Sequence, residues 1–386
     1  MDFDLNIEQR MLKDTLRTFV NKECPKEFAM EIDEKEEFPL HLFPKMAELG
    51  MLALPFPEKY GGLGGNVMDE VIIIEELSRG VAAAGLTYFL SVCFGGKSIE
   101  YFGNEEQKIE YLPKLCKGEI MFSLALTEPE GGTDILGTLR TTAESRDGAY
   151  FINGQKTFIT GAHVADFLVT LVRTDENAPK KAEGLSAFLV DTKTPGIEMN
   201  RLKKLGIKAI GSNEIFFTDV KVSPENLLGR LNKGWYQIVS TLNNERVALA
   251  ALCVGLAQAA FEEALQYAKK RMAFGKPIGQ FQAIQHYLSE MATSIESARL
   301  LTYKAAWLQS VGRENAVESA MAKLIASETA FDAATKGMRI FGGYGYIMEY
   351  PIQRLLRDSI LFLFTPITNE MIKNFIGEAL RLPKSY

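Results

Sequence analysis

Residues 150–160 read Tyr150-Phe151-Ile152-Asn153-Gly154-Gln155-Lys156-Thr157-Phe158-Ile159-Thr160, with β-branched and aromatic residues on both sides of an Asn-Gly pair. Such a pair takes up the positive φ angles of a tight hairpin turn, so the stretch predicts two strands joined at Asn153-Gly154. Runs of the same character recur at residues 167–172, 185–190 and 215–222, separated by polar, proline or glycine punctuation. Together they predict a small β-barrel or sandwich. On either side the apolar period lengthens to that of a helix, as in Met11, Leu12, Leu16, Phe19 and Val20, and again in Leu252, Leu256, Ala260 and Leu265. The expected fold is α+β and multidomain, in three parts. An N-terminal α-helical domain covers residues 1–119, a middle β domain 120–232 and a C-terminal four-helix bundle 233–386.

Bulk properties narrow the function classes. The 386 residues are 47% hydrophobic and 24% charged, which is ordinary for a globular chain of two or three domains. A formal net charge of −6 disfavours a nucleic-acid or anionic-membrane binder, because those rest on lysine and arginine neutralising phosphates. The cysteines at 24, 93, 116 and 253 have neither metal-ligand nor redox spacing and predict reduced thiols. Residues 1–10 lack the basic and then apolar layout of a secretory signal, so a cytoplasmic location is expected. The longest apolar run, residues 247–257, is shorter than the roughly 20 residues a membrane span requires. It predicts a buried helix.

The chemistry is approached first by exclusion. His41, His163 and His286 are far apart and none has a two-ligand helical spacing, so no metal site is expected. Neither a nucleophile elbow nor a phosphate-loop lysine is present. What remains is a glycine-rich loop behind an apolar run, Leu124-Ala125-Leu126-Thr127-Glu128-Pro129-Glu130-Gly131-Gly132-Thr133-Asp134, and a second loop at residues 158–162. Adjacent glycines bring backbone close to a ligand, and threonine hydroxyls both donate and accept. The combination suits a large planar cofactor held between domains.

Five segments carry a family resemblance: LALTEPEGGTD at 124–134, GQKTFITGA at 154–162, KLGIKAIGSNEIFFTDVKV at 204–222, RMAFGKPIGQFQAIQ at 271–285 and IFGGYGYIMEYPIQRLLRD at 340–358. In this order they resemble the acyl-CoA dehydrogenase family. The resemblance implies an α-domain, a β-domain and a helical bundle, usually as a homotetramer, binding FAD and exchanging electrons with an electron-transferring flavoprotein. It implies that Leu126, Thr127, Gly132 and Thr133 contact the flavin, with Thr133 also reaching the acyl-CoA where the family usually has Ser. Phe158 matches a position that is commonly Trp beside the flavin ring, and Thr160 matches a hydroxyl near flavin N5; a hairpin core aromatic is the other reading of Phe158. Arg271, Phe274 and Gln282 match positions gripping the ADP half, where a guanidinium pairs with pyrophosphate. Arg339, before Gly342 and Gly343, stands where the family usually has a glutamine that reaches a neighbour's cofactor. Thr368 and Glu370 complete the expected cofactor contacts.

One departure from the pattern bears on the reaction. Counted without gaps from Arg357-Asp358, the family's Tyr-Glu-Gly-Thr falls on Thr365-Pro366-Ile367-Thr368, so the usual catalytic glutamate is Pro366. Proline takes no proton and has no N–H, whereas the family uses that N–H to polarise the thioester carbonyl; loss of such a donor typically costs about 10² to 10³ in turnover. Glu245, in Asn243-Asn244-Glu245-Arg246, stands where the isovaleryl and long-chain members and the crotonobetainyl-CoA reductase group carry a glutamate. It is the candidate base, with Asn243 and Arg246 beside it on the substrate side. A surface Glu-Arg pair is the alternative. The implied reaction interconverts acyl-CoA and 2,3-enoyl-CoA by α-proton and β-hydride transfer. Physiological enoyl-CoA reduction of the crotonobetainyl-CoA reductase kind, and a non-redox or noncatalytic role, stay open. Residues 90–96 and Lys97 are expected near the acyl tail, with Lys97 either meeting a polar tail or standing in solvent.

Overall fold

A computed structural model describes residues 4–383; the outermost residues of the first and last expected domains lie outside it. The chain opens with helices α1 (Ile7–Glu23), α2 (Lys26–Glu34), α3 (Leu42–Glu48), α4 (Val67–Gly80) and α5 (Ala82–Tyr88). A π-helical stretch, Phe89–Gly96, then leads into α6 (Lys97–Phe102) and α7 (Glu105–Cys116). Three of these helices begin with reciprocal caps. Asn6 with Gln9, Asn66 with Asp69 and Asn104 with Gln107 each satisfy two amides that the first turn leaves unbonded. On α1 only one stripe is covered, including Leu16, Phe19 and Val20. By contrast, α4 buries residues around its whole circumference, among them Val71, Ile72, Ile73, Ile74 and Leu77, because it packs between α1 on one side and the bundle on the other.

The middle region is an eight-stranded sheet. Its strands are β1 (Phe122–Ala125), β2 (Thr142–Arg146), β3 (Ala149–Thr160), β4 (Phe167–Arg173), β5 (Leu185–Asp191), β6 (Ile197–Leu202), β7 (Ser212–Val222) and β8 (Leu227–Leu228), with the single-turn helix α8 (Ile135–Thr138) after β1. The spatial order is β6-β7-β3-β2-β4-β5-β8, and β1 lies parallel to β4. Ile152, Leu168, Phe188, Ile215 and Val220 pack inside it.

One expectation fails here. The hairpin turn is not at Asn153-Gly154 but at Asp147-Gly148, both at positive φ (50° and 74°), and β3 runs unbroken past Asn153. Asn153-Gly154 instead forms a bulge, where the register against β7 shifts between Ile152 and Gly154. Gly154 is required there, because a Cβ would come within 2.6 Å of the Thr141 Cα. Asn153 locks the bulge from the other side: its Oδ1 accepts from the Asp219 amide at 2.8 Å and its Nδ2 donates to Asp219 Oδ1 at 3.1 Å. The same backbone permissiveness serves a turn or a bulge, and the pairing of β2 with residues 149–153 selects the bulge.

The C-terminal region is built on α9 (Gly234–Lys270), α10 (Gln282–Ser310) and α11 (Ala316–Phe341), followed by α12 (Gly343–Tyr346), α13 (Ile352–Ile360) and α14 (Asn369–Ala379). A short hairpin of β9 (Met272–Ala273) and β10 (Lys276–Pro277) joins α9 to α10. The innermost helix is α9, packed by α4, α10 and α11. Its segment Asn243–Lys270 is long and apolar enough to cross a bilayer, yet 78% of its most apolar window is buried inside the chain, as befits a core helix. Small residues, including Ala250, Ala257 and Ala260 on α9 and Ala326, Ala330 and Ala333 on α11, are buried where these helices meet. Glu75 fastens α4 to the bundle, accepting from Arg299 Nε at 3.0 Å and the Tyr303 hydroxyl at 2.9 Å, and to α1, accepting from Lys13 at 3.2 Å.

Gly255 marks the closest crossing of α9 and α4, since a Cβ there would lie 2.3 Å from the carbonyl oxygen of Glu75. Two backbones cannot separate locally without opening the core around them. Gly255→Val is therefore expected to destabilise the protein by about 3 kcal/mol, seen as a lower midpoint in urea unfolding, whereas Gly148→Asn on the exposed turn stays near wild type.

Candidate functional site

The glycine-rich loop leaves β1 at Ala125 and is held by the strand beside it. The Thr157 amide donates to the Thr127 carbonyl at 2.9 Å, and Lys156 Nζ donates to the Leu126 carbonyl at 3.1 Å and to Glu128 Oε1 at 2.8 Å. Glu128 also accepts from the amides of Arg140 and Thr141, at 2.6 and 3.0 Å. Lys156 is wholly buried and Glu128 nearly so. Burial lowers the Lys156 pKa to about 8 against the pull of Glu128. Burial works against the Glu128 carboxylate, yet Lys156 and the amides leave it below the ordinary carboxylate value. Fixed in this way, the loop turns Gly132 and Thr133 outward, with open space around Gly132. Phe158 is 67% exposed at φ 59°, within a second register shift of β3 against β7. It is not a core aromatic. Thr160 follows at the strand end, half-buried, its carbonyl accepting from the Ser123 hydroxyl at 2.7 Å.

The second group gathers around α9. Glu245 is 5% exposed, so the surface-pair reading of Glu245 and Arg246 is overturned by the packing of α9. Burial pushes the Glu245 pKa up to about 8, against Arg246 and Lys323, which favour the carboxylate. Arg246 is also buried; burial lowers its pKa, its guanidinium lies 4.8 Å from the Phe375 ring of α14, and its Nε has no hydrogen-bond partner. Buried unpaired donors are costly, and this one is suited to an incoming acceptor. Asn243 accepts from the Ser319 hydroxyl at 3.4 Å, which ties the same turn to α11. The segment carrying Pro366, bonded to α11 through the Ile367 carbonyl, leaves Pro366 exposed after a cis Thr365-Pro366 bond. Thr368 caps α14 by accepting from the Met371 amide at 3.2 Å, and Glu370 is exposed in its first turn.

A third group lines a separate cleft of about 520 Å³, formed by Tyr267, Arg271, Ile278, Phe341, Gly343 and Tyr344 among others. The Arg271 guanidinium lies 5.1 Å from the Tyr344 ring. Phe274 is 95% exposed at φ 49° and meets Phe281 edge-on at 6.0 Å. Gln282 begins α10, Arg339 lies in the last turn of α11, and both are exposed; Gly342, at φ 60°, ends α11 with open space around it.

Three lysines show what the sequence did not. Lys97 is buried rather than solvated, donating to the Pro55 carbonyl at 2.7 Å and to Glu100 at 2.8 Å and lying 3.9 Å from Glu70, so its charge is already answered within the chain. Lys156 and Lys323 went unremarked in the sequence. The signal for Lys323 was its place among Ser319, Ala322, Ala326 and Ala330, the small-residue face of α11, where a lysine has to find partners inside.

Comparison with known proteins follows the same three regions. Residues 6–119, 123–220 and 232–381 match the N-terminal, middle and C-terminal domain models of acyl-CoA dehydrogenase. The chain is 41% identical over 381 residues to a probable acyl-CoA dehydrogenase, YngJ, of Bacillus subtilis, covering 98% of this chain and 100% of that one. It is 38% identical to a caffeyl-CoA reductase-Etf complex subunit of Acetobacterium woodii, covering 97% of this chain and 98% of the other. Among solved structures it is similar to butyryl-CoA dehydrogenase of Megasphaera elsdenii, with a TM-score of 0.94, 36% identity and coverage of 99% and 100%. With the loop in the middle matched region, the buried helix carboxylate and the cleft in the C-terminal one, and relatives aligned from end to end, the chain belongs to the acyl-CoA dehydrogenase family.

Proposed function

We propose that Glu245 is the acid-base residue of an FAD-dependent enzyme that interconverts acyl-CoA and 2,3-enoyl-CoA and exchanges electrons with an electron-transferring flavoprotein. The observation that carries the assignment is the burial of a carboxyl on α9 in a chain whose position 366 is a proline that holds no proton. FAD, when bound, supplies the acceptor or donor for the β-hydrogen. The residues fit such a cofactor: a loop with open space at Gly132, an exposed ring at Phe158, and a cleft with an available guanidinium at Arg271.

Leu126, Thr127, Gly132, Thr133, Phe158 and Thr160 are assigned to the flavin side. Arg271, Phe274, Gln282, Arg339, Gly342 and Gly343 are assigned to the ADP half, and Thr368 and Glu370 to the cofactor from the start of α14. Thr133, Asn243 and Arg246 bind the thioester, with the unpaired Arg246 Nε as donor. The domain division at 1–119, 120–232 and 233–386 belongs to the same reading. So does a homotetramer, supported by the apolar side chains of Phe274, Tyr346 and Met348 standing exposed on one chain. A cytoplasmic location is supported by four buried, unpaired cysteines.

The proton state of Glu245 bears on which direction is fast at a given pH. A carboxyl with its pKa near 8 is mainly protonated at neutral pH, the form that delivers an α-proton during enoyl-CoA reduction; ionised, it removes that proton during dehydrogenation. Burial of Glu245 thus favours enoyl-CoA reduction as the second reading, alongside the similarity to the caffeyl-CoA reductase subunit.

Two measurements test this. Glu245→Gln should lower the rate of flavin bleaching by acyl-CoA by about 10² to 10⁴-fold while flavin content is kept; unchanged bleaching would remove Glu245 from the reaction. In anaerobic stopped-flow assays, bleaching by acyl-CoA should rise with pH through about 8, and enoyl-CoA reduction should hold below that pH and fall above it. A flat profile in both directions would contradict the assignment.

A further inference from the structure

Lys323 lies on α11 with 0% of its surface exposed. A buried ammonium persists only where its donors are matched. Here its Nζ donates to the Ile367 carbonyl at 2.9 Å and to Asn369 Oδ1 at 2.6 Å. Asn369 is itself oriented, since its Nδ2 donates to Ser327 Oγ at 3.1 Å and Glu328 Oε1 at 2.9 Å. That fixes its carbonyl oxygen toward the lysine. The two acceptors flank Thr368, and Ile367 directly follows Pro366, so one side chain fastens α11 to the segment where this chain departs from its family's pattern.

The charge reaches further. Burial lowers the Lys323 pKa to about 8; the ionisable groups that oppose this are Cys253 and Glu245 on α9, Glu328 on its own helix and Glu370 on α14, while Arg246 is the other cation acting on Glu245. The Cys253 thiol, pushed up to about 12 by burial, stays neutral, and Glu370 is exposed to water. Glu245 is thus the wholly desolvated carboxyl in this set.

We infer that Lys323 is a positioning residue for the proposed reaction, tying the Pro366 segment to α11 by two hydrogen bonds, one turn from Ser319, which bonds Asn243 in the turn of α9 that carries Glu245, so that its ammonium form favours the Glu245 carboxylate. The inference rests on the reading of Glu245 as the acid-base residue. Position 366 itself offers neither a proton nor an amide. The lysine holds the segment to α11.

Two substitutions separate the tie from the charge. Lys323→Met removes both, and Lys323→Gln keeps a donor without the charge. On the FAD-loaded enzyme, with flavin per chain checked by absorbance, Lys323→Met is expected to speed amide hydrogen exchange at residues 364–370 by roughly 10-fold or more. Lys323→Gln is expected to keep most of that protection yet move the midpoint of the pH profile for acyl-CoA bleaching upward by roughly one unit, since a carboxyl that loses a cation ionises later. Unchanged exchange in Lys323→Met overturns the tie, and an unmoved midpoint in Lys323→Gln overturns the role of the charge. A lysine that only stabilised the fold would alter exchange and leave that midpoint alone. Failure of the underlying reading is registered separately, by full bleaching in Glu245→Gln, which overturns the charge role with it while exchange in Lys323→Met still judges the tie.

Discussion

The desolvation of α9 is the constraint on which the rest depends. The helix is covered by α4, α10 and α11, and small residues let these neighbours approach until backbone meets backbone at Gly255 and Glu75. From residue 244 to residue 257 every position of the helix is buried, so a polar side chain there has no water to face. Asn243, Asn244, Glu245 and Arg246 near its N-terminal end therefore stand in a low-dielectric surrounding, and any charge there acts strongly on whatever approaches. The same packing that makes the bundle stable raises the Glu245 pKa into the range useful for proton transfer.

Buried lysines repeat the logic at two other points. Lys156 holds the glycine-rich loop to β3 through a backbone carbonyl and Glu128, and Lys323 holds the Pro366 segment to α11 through a backbone carbonyl and Asn369. In each case a loop too irregular to satisfy its own backbone gains a donor from a neighbouring element. Burying an ammonium costs several kcal/mol unless it is well paired, so each lysine is a strong constraint on local geometry. Removing one would leave both a loose loop and an unanswered partner.

Much of the fold was legible because it rests on periodicity. The change from helical spacing to strand runs near residue 120 and back near residue 233 is a property of local sequence, and the structure follows it. The turn was misplaced for a reason that is equally local: Asn153-Gly154 and Asp147-Gly148 both accept positive φ, and nothing within either pair says which one reverses the chain. Strand pairing across the sheet made that choice. Lys97 and Glu245 were ambiguous in the same sense, because a charged residue on a helix looks alike whether it faces water or a core.

The three-part order, the glycine-rich loop, the lack of a proton-bearing group at position 366 and the carboxyl at 245 could all be read along the chain. These are facts of composition and spacing. The burial of Glu245 and Arg246, the projection of Phe158 from its strand and the pinning of the two loops by Lys156 and Lys323 came from packing between distant elements. Burial and long-range hydrogen bonding arise from elements far apart in the chain, as when α11 reaches residue 367 and β3 reaches residue 126. A carboxyl's pKa and a loop's rigidity are set by such neighbours, and no local pattern encodes them.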